Sequence, residues 1–293
     1  MVLGVFAYQF YHLTQRMDWT AFGTALARPG QGRWLALAGA LMPLNWLLEA
    51  RKWQILLAAF VRWPLGKVLR ATLAGVSVSA ATPNRVGEIG GRLLYARPAE
   101  APAVLASSLL GSACQWIAFL TLGAPALIWT ADLSPWLLPL GPLALLVAGM
   151  GGKPLLLGLL RRVNGTFGLR TERVTEALAD VKLPLILRAG GYACLRYVVY
   201  CTQLFLLLRF FGLVLPWLRG LAGIAAIYLV QAGVPLPPGV NLVARTELGL
   251  LLWQTDAASG MAVLAAFTTL FAINVLLPAL PGYWLLVRKN KDV

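Results

Sequence analysis

Long apolar runs punctuated by short clusters of Pro, Gly, Arg and Lys set the pattern of this chain. The runs lie near 34–60, 64–82, 103–130, 134–152, 185–212, 217–234 and 259–287, with shorter pieces at 1–13, 86–96 and 242–254. Several approach the ~20 residues that carry a helix across a hydrocarbon core. The pattern predicts an all-α polytopic membrane protein. It also repeats. Each half holds a long span, a Pro-containing turn (Pro64, Pro216), a span leading into a Pro-containing polar motif, a short return segment and a final long span. The repeats are 34–130 and 185–287, joined by a single span at 134–152, and the polar motifs at their centres are expected to be re-entrant.

Composition agrees with the membrane setting. Hydrophobic residues make up 59% of the chain and charged residues 12%, where a soluble domain carries roughly one-quarter charged residues. The 293 residues hold one helical bundle and no polar block long enough for a separate catalytic domain, so 1–293 is read as a single transmembrane domain. Cys114, Cys194 and Cys201 fall in apolar segments without paired or metal-ligand spacing, and read as small buried hydrophobes. The opening MVLGVFAYQF lacks a basic leader and a cleavage site, so it is expected to stay in the membrane as a short span.

A net charge of +14 would suit nucleic acid if the 25 basic residues were spread over one surface, but they cluster at span ends. Basic residues favour the cytoplasmic side, which fixes the 161–183 segment and the tail inside. An odd linking span then inverts the second half relative to the first. Under that topology sixteen basic residues lie inside: Arg51, Lys52, Arg62, Lys67, Arg70, Arg97, Lys153, Arg161, Arg162, Arg170, Arg173, Lys182, Arg188, Arg288, Lys289 and Lys291. Five lie outside: Arg16, Arg28, Arg33, Arg209 and Arg219. Both termini are cytoplasmic, and the polar motifs enter from opposite faces, an arrangement recurrent among secondary transporters.

The first of those motifs, TPNRVGEIGGR at 82–92, places Arg85, Glu88 and Arg92 beside a proline and three glycines. Pro83 disfavours helix at Thr82, and Gly87, Gly90 and Gly91 loosen the backbone beyond it. Irregular backbone at membrane depth is tolerated where it is buried in protein or lines a wet cavity. Charge there is costly and marks function by default. The second motif, PLPPGVNLVARTEL at 235–248, carries Asn241, Arg245 and Glu247.

The Pro-Asn-Arg-x-Gly-Glu pattern, together with NWLLEARKW at 45–53, resembles the transmembrane domain of the bacterial lysylphosphatidylglycerol synthase/flippase family, over about residues 30–287. PLPPGVNLVARTEL and RYVVYCTQ (196–203) are looser matches to other segments of that family. The resemblance is to stand-alone members without the synthetase domain, so lysine addition is not carried over. It implies movement of a polar-headed lipid between leaflets of the bacterial inner membrane. The lipid would be anionic or zwitterionic.

In that light Arg85 and Arg92 are the candidates to hold phosphate, because a guanidinium presents a planar fork of donors. Glu88 and Glu247 would receive a cationic headgroup or neutralise the arginines, with Asn84, Asn241 and Arg245 completing the polar set. Arg196, mid-span in 185–212, needs a counter-charge; Glu88 or Glu247 is the expected partner, and Gln203 shares its face. Its role is either headgroup binding or a structural ion pair. Asn45, Glu49 and Lys52 share a helical face and fit a local pair at the inner interface near Trp53. Tryptophans 53, 63, 136 and 217 read as interfacial belts.

No HExxH, Ser-x-x-Lys, phosphate loop or close carboxylate pair occurs, so no catalytic residue, metal ligand or cofactor is expected. A membrane-embedded transferase acting on a lipid phosphate and a non-transporting scaffold for lipid enzymes stay open as alternatives. Nucleic acid is not an expected partner; a homo-oligomer is left open.

Overall fold

The structure is a computed structural model; it describes residues 20, 27, 30–80, 86–137, 139, 181–234, 238–253 and 257–291. The segments 1–13 and 161–180, nearly all of the linking span 134–152, and Thr82 to Arg85 lie outside the described residues.

All regular structure among the described residues is helical. The first half contains α1 (Gly32–Leu57), α2 (Leu65–Ala80), a short α3 (Val86–Leu93), then α4 (Ala101–Ala118), which runs through a π turn at Phe119–Gly123 into α5 (Ala124–Thr130). The second half contains α6 (Leu183–Phe210), α7 (Trp217–Ala232), α8 (Pro238–Trp253), then α9 (Ala257–Phe271), which runs through a π turn at Ala272–Leu276 into α10 (Leu277–Lys291). Among the described residues, the apolar runs thus become helices nearly where the pattern puts them. Three among the described residues are long and apolar enough to cross a membrane: Pro98–Thr130, Leu183–Phe210 and Gly260–Arg288. The 26-residue α1 has spanning length too, but it carries Glu49, Arg51 and Lys52 within its last three turns.

α1 and α6 form the spine. They pack lengthwise and antiparallel, since Arg196 meets Glu49, Gln203 meets Ala38 and Arg209 meets Trp34. Against the spine lie α4, which touches both helices, and α9, which packs on α6. The outer packing is reciprocal. α10 from the second half packs on α2, and α5 from the first half packs on α7. Both contacts are close. A Cβ on Gly282 would collide with the Leu73 carbonyl oxygen of α2, and one on Gly123 would stand 2.9 Å from Leu229 Cβ of α7.

α3 folds back along α2 at similar range, because two glycines face each other. A Cβ on Gly91 would stand 2.5 Å from Gly75 Cα, and one on Gly75 would stand 2.6 Å from the Glu88 carbonyl oxygen. The apolar core gathers around α6, with Leu204, Phe205, Leu207, Ile224, Val263 and Phe267 buried together.

Candidate functional site

Glu49 is the hub. It lies on α1, 4% exposed, and three cations converge on its carboxylate. Lys52 Nζ, one turn on, stands 2.7 Å from Oε2. Arg92 Nη2, from α3, stands 3.0 Å from Oε1. Arg196 Nη1, from the middle of α6, stands 3.2 Å from Oε2. Arg92 also bonds Glu88 one turn back on α3, which ties the return helix to itself and to α1. Three cations against two carboxylates leave one positive charge in excess.

The surroundings complete the site. Arg92 Nη1 donates to Ser108 Oγ at 3.3 Å, and its guanidinium carbon lies 4.5 Å from the Trp53 ring centroid. Trp53 in turn donates to Ser107 Oγ at 2.9 Å and stacks edge-on against Trp63. Arg196 donates to Gln115 Oε1 at 3.2 Å and leans over Trp46. Burial of ions demands such support, because desolvation exceeds the Coulombic gain unless remaining donors and acceptors are occupied.

A file of amides continues from this cluster along the spine. Asn45, one turn before Glu49, donates to Asn274 Oδ1 at 2.7 Å. Asn274 donates to Gln203 Oε1 at 3.2 Å, and Gln203 donates to the Ala38 carbonyl at 2.9 Å. All three side chains are almost fully buried. Asn274 belongs to the second π turn, a local widening frequent at functional sites.

Several sequence expectations are revised. Asn45, Glu49 and Lys52 do share a face, and the Glu49–Lys52 pair forms, but it is buried at the heart of the charge cluster. The counter-charge of Arg196 is Glu49, where Glu88 or Glu247 was expected. Gln203 shares a helix with Arg196 but bonds into the amide file. Trp53 and Trp63 are buried at 0% and 6% exposure. Trp53 lies against the Arg92 guanidinium, and Trp63 packs edge-on behind Trp53 with Lys67 over its own ring, while Trp136 and Trp217 are exposed.

The second motif stands apart from the cluster in its contacts. Arg245 bonds Gln231 and stacks on Tyr228, and Glu247 is exposed. Asn241 is half-buried, with Oδ1 unpaired. Asn84 and Arg85 lie outside the described residues.

Sequence reasoning missed Gln115, Ser107, Ser108 and Asn274. The two serines look like ordinary helix residues. Gln115 and Asn274 carried a usable signal, since each is an isolated amide inside an otherwise apolar span, and such residues face a protein interior.

Apolar helices of spanning length enclosing a buried ion cluster define a multi-pass membrane protein. The sequence profile of the lysylphosphatidylglycerol synthase TM region matches residues 1–282, nearly the whole chain, and the chain belongs to that family. None of the curated proteins compared with the chain matches it.

Proposed function

We propose that this protein is a lipid transporter. It would move a phospholipid or lipid-phosphate between leaflets by lodging the headgroup at the Glu49 cluster while the acyl chains stay in the bilayer. The observation that carries the reading is a buried carboxylate shared by three cations midway along α6. An arriving phosphate replaces carboxylate oxygens on Arg92 and Arg196 with its own, so the guanidinium forks exchange partners and are never left bare. This avoids the several-kcal/mol cost of drawing a charged head through hydrocarbon. No bond is made or broken, so the proposal assigns no catalysis; net accumulation would draw on an external gradient.

We further propose that 34–130 and 185–287 are inverted repeats about the 134–152 span, with both termini in the bacterial cytoplasm. Three features support this. The spine helices are antiparallel, each half closes on a long helix with a π turn, and α10 on α2 mirrors α5 on α7. The segment 81–85, between α2 and α3, is proposed to form a re-entrant turn that brings Arg85 and Asn84 to the same site. The second motif, with Asn241, Arg245 and Glu247, is proposed as the matching entry from the opposite face.

Leaflet exchange of labelled phospholipid in proteoliposomes tests the reading. Glu88→Gln and Arg85→Ala should slow exchange by about tenfold or more while leaving extractable, folded protein, the scale of one lost charge-assisted contact. Wild-type exchange that persists unchanged in both variants would remove the headgroup site and favour the scaffold alternative.

A further inference from the structure

The α1–α6 spine has a second cationic feature at its other end. Arg33 and Arg209 approach the same indole: their guanidinium carbons lie 4.6 Å and 5.5 Å from the Trp34 ring centroid. Arg209 also lies 5.1 Å from the Phe205 ring, which Trp217 buttresses edge-on. Among the described residues neither arginine has a carboxylate within ion-pair distance. Arg209 Nε is buried and has no hydrogen-bond partner there. Stacking on an aromatic face leaves the in-plane N–H edge of a guanidinium open, and that edge fits two phosphate oxygens.

Two further observations place a ligand. The amide file of Asn45, Asn274 and Gln203 ends on the Ala38 carbonyl, one turn from Trp34. At 1.5 Å per residue the indole and Glu49 are roughly 22 Å apart along α1, so polar side chains occupy the interval between the two cationic sites. Beside the arginines, Leu35, Leu37, Val214, Trp217 and Leu218 present exposed apolar surface. A free anion has no use for that surface; acyl chains do.

We propose that Arg33 and Arg209, stacked on Trp34, form a second headgroup station that takes the phosphate of an anionic membrane lipid. The station would be the terminus of the route whose centre is Glu49, and in that respect it rests on the transport reading. Its chemistry is nonetheless separate: two stacked guanidiniums with no acid paired to them among the described residues favour an anionic head over a zwitterionic or cationic one.

The test uses the full chain in phosphatidylcholine nanodiscs carrying a trace of phosphatidylglycerol with a photoreactive headgroup, and maps the crosslinked peptides by mass spectrometry. Wild-type protein should label at the start of α1 and the end of α6. Arg33→Gln/Arg209→Gln should cut that labelling about tenfold, and Arg33→Lys/Arg209→Lys, which keeps the charge but loses the planar fork, should fall between that variant and the wild type. Arg33→Gln alone, at an exposed position, guards against misfolding and should cost about threefold. Unchanged labelling in the double Gln variant overturns the station. So does equal labelling by a photoreactive phosphatidylcholine, and so does loss of labelling to millimolar inorganic phosphate, which would assign the site to a free anion. Arginine-dependent labelling in a protein that exchanges no lipid in proteoliposomes would keep the station and remove the transport reading.

Discussion

At the scale of the residue, Glu49 decides whether the spine holds together. Gln in its place keeps the shape but leaves Lys52, Arg92 and Arg196 facing one another in a buried site, and removing one partner of a buried ion network costs about 3–5 kcal/mol. Glu49→Gln should therefore lower the thermal midpoint in detergent more than Glu88→Gln, whose side chain is 18% exposed and, among the described residues, pairs with Arg92. Combining Glu49→Gln with Lys52→Met should recover part of the loss, as a double-mutant cycle would register. Equal midpoints for the Glu49 and Glu88 variants would mean that the hub is elsewhere. Charge at membrane depth beside Pro83 and three glycines marked the 82–92 motif in the sequence. Besides Glu88 in the motif itself, its Arg92 meets a carboxylate from 43 residues earlier in the chain, that of Glu49.

At the scale of the element, the reach of Arg92 to Glu49 depends on how closely α3 lies on α2. Gly75 and Gly91 permit that approach, and any Cβ there collides with backbone, which cannot yield as a flexible side chain would. Gly91→Ala should destabilise by about 1–3 kcal/mol and slow lipid exchange by displacing Arg92. Gly90→Ala, on the same helix but with open space around it, should be neutral or stabilise by up to ~1 kcal/mol. Matched melting curves and exchange rates for the two variants would separate a packing effect from a helix-propensity effect; identical behaviour would count against the close seat. From the sequence these glycines read as loosening the backbone. In the fold Gly91 lies within a helix and serves to bring two helices together.

At the scale of the whole molecule, the antiparallel spine and the exchanged outer helices make each half depend on the other. The first half's α2 is covered by α10, and the second half's α7 by α5. Gly282→Leu should accordingly disrupt α2, 200 residues away in sequence, and release the Ser77 hydroxyl from the Ala279 carbonyl that it meets at 2.7 Å. Protease protection of α2 should fall with it. The sixteen-to-five division of basic residues predicts the orientation of the whole. A cysteine at position 170 should be blocked by reagents only after the membrane is opened. Labelling of that cysteine from outside intact cells would reverse the topology and the side from which each polar motif enters.

The chain's own pattern determined the helices, their approximate limits and the membrane setting. Those come from local physics: apolar runs of spanning length, prolines at turns such as Pro64 and Pro216, and basic residues at span ends. It also determined which residues would be costly to bury, and Arg92, Arg196 and Glu88 were found by that criterion alone. The tertiary structure decided which charges meet. Glu49 lies among Arg51 and Lys52 near the end of α1, where spacing along one helix is equally compatible with an interfacial pair and with a buried hub. Only the antiparallel docking of α6 and the close return of α3 bring Arg196 and Arg92 to it. The same holds for the amide file, whose members stand on α1, α6 and the second π turn. Helix periodicity fixes the face on which a side chain lies, whereas its partner depends on the rotation and stagger of neighbouring helices, set by packing summed over the whole bundle.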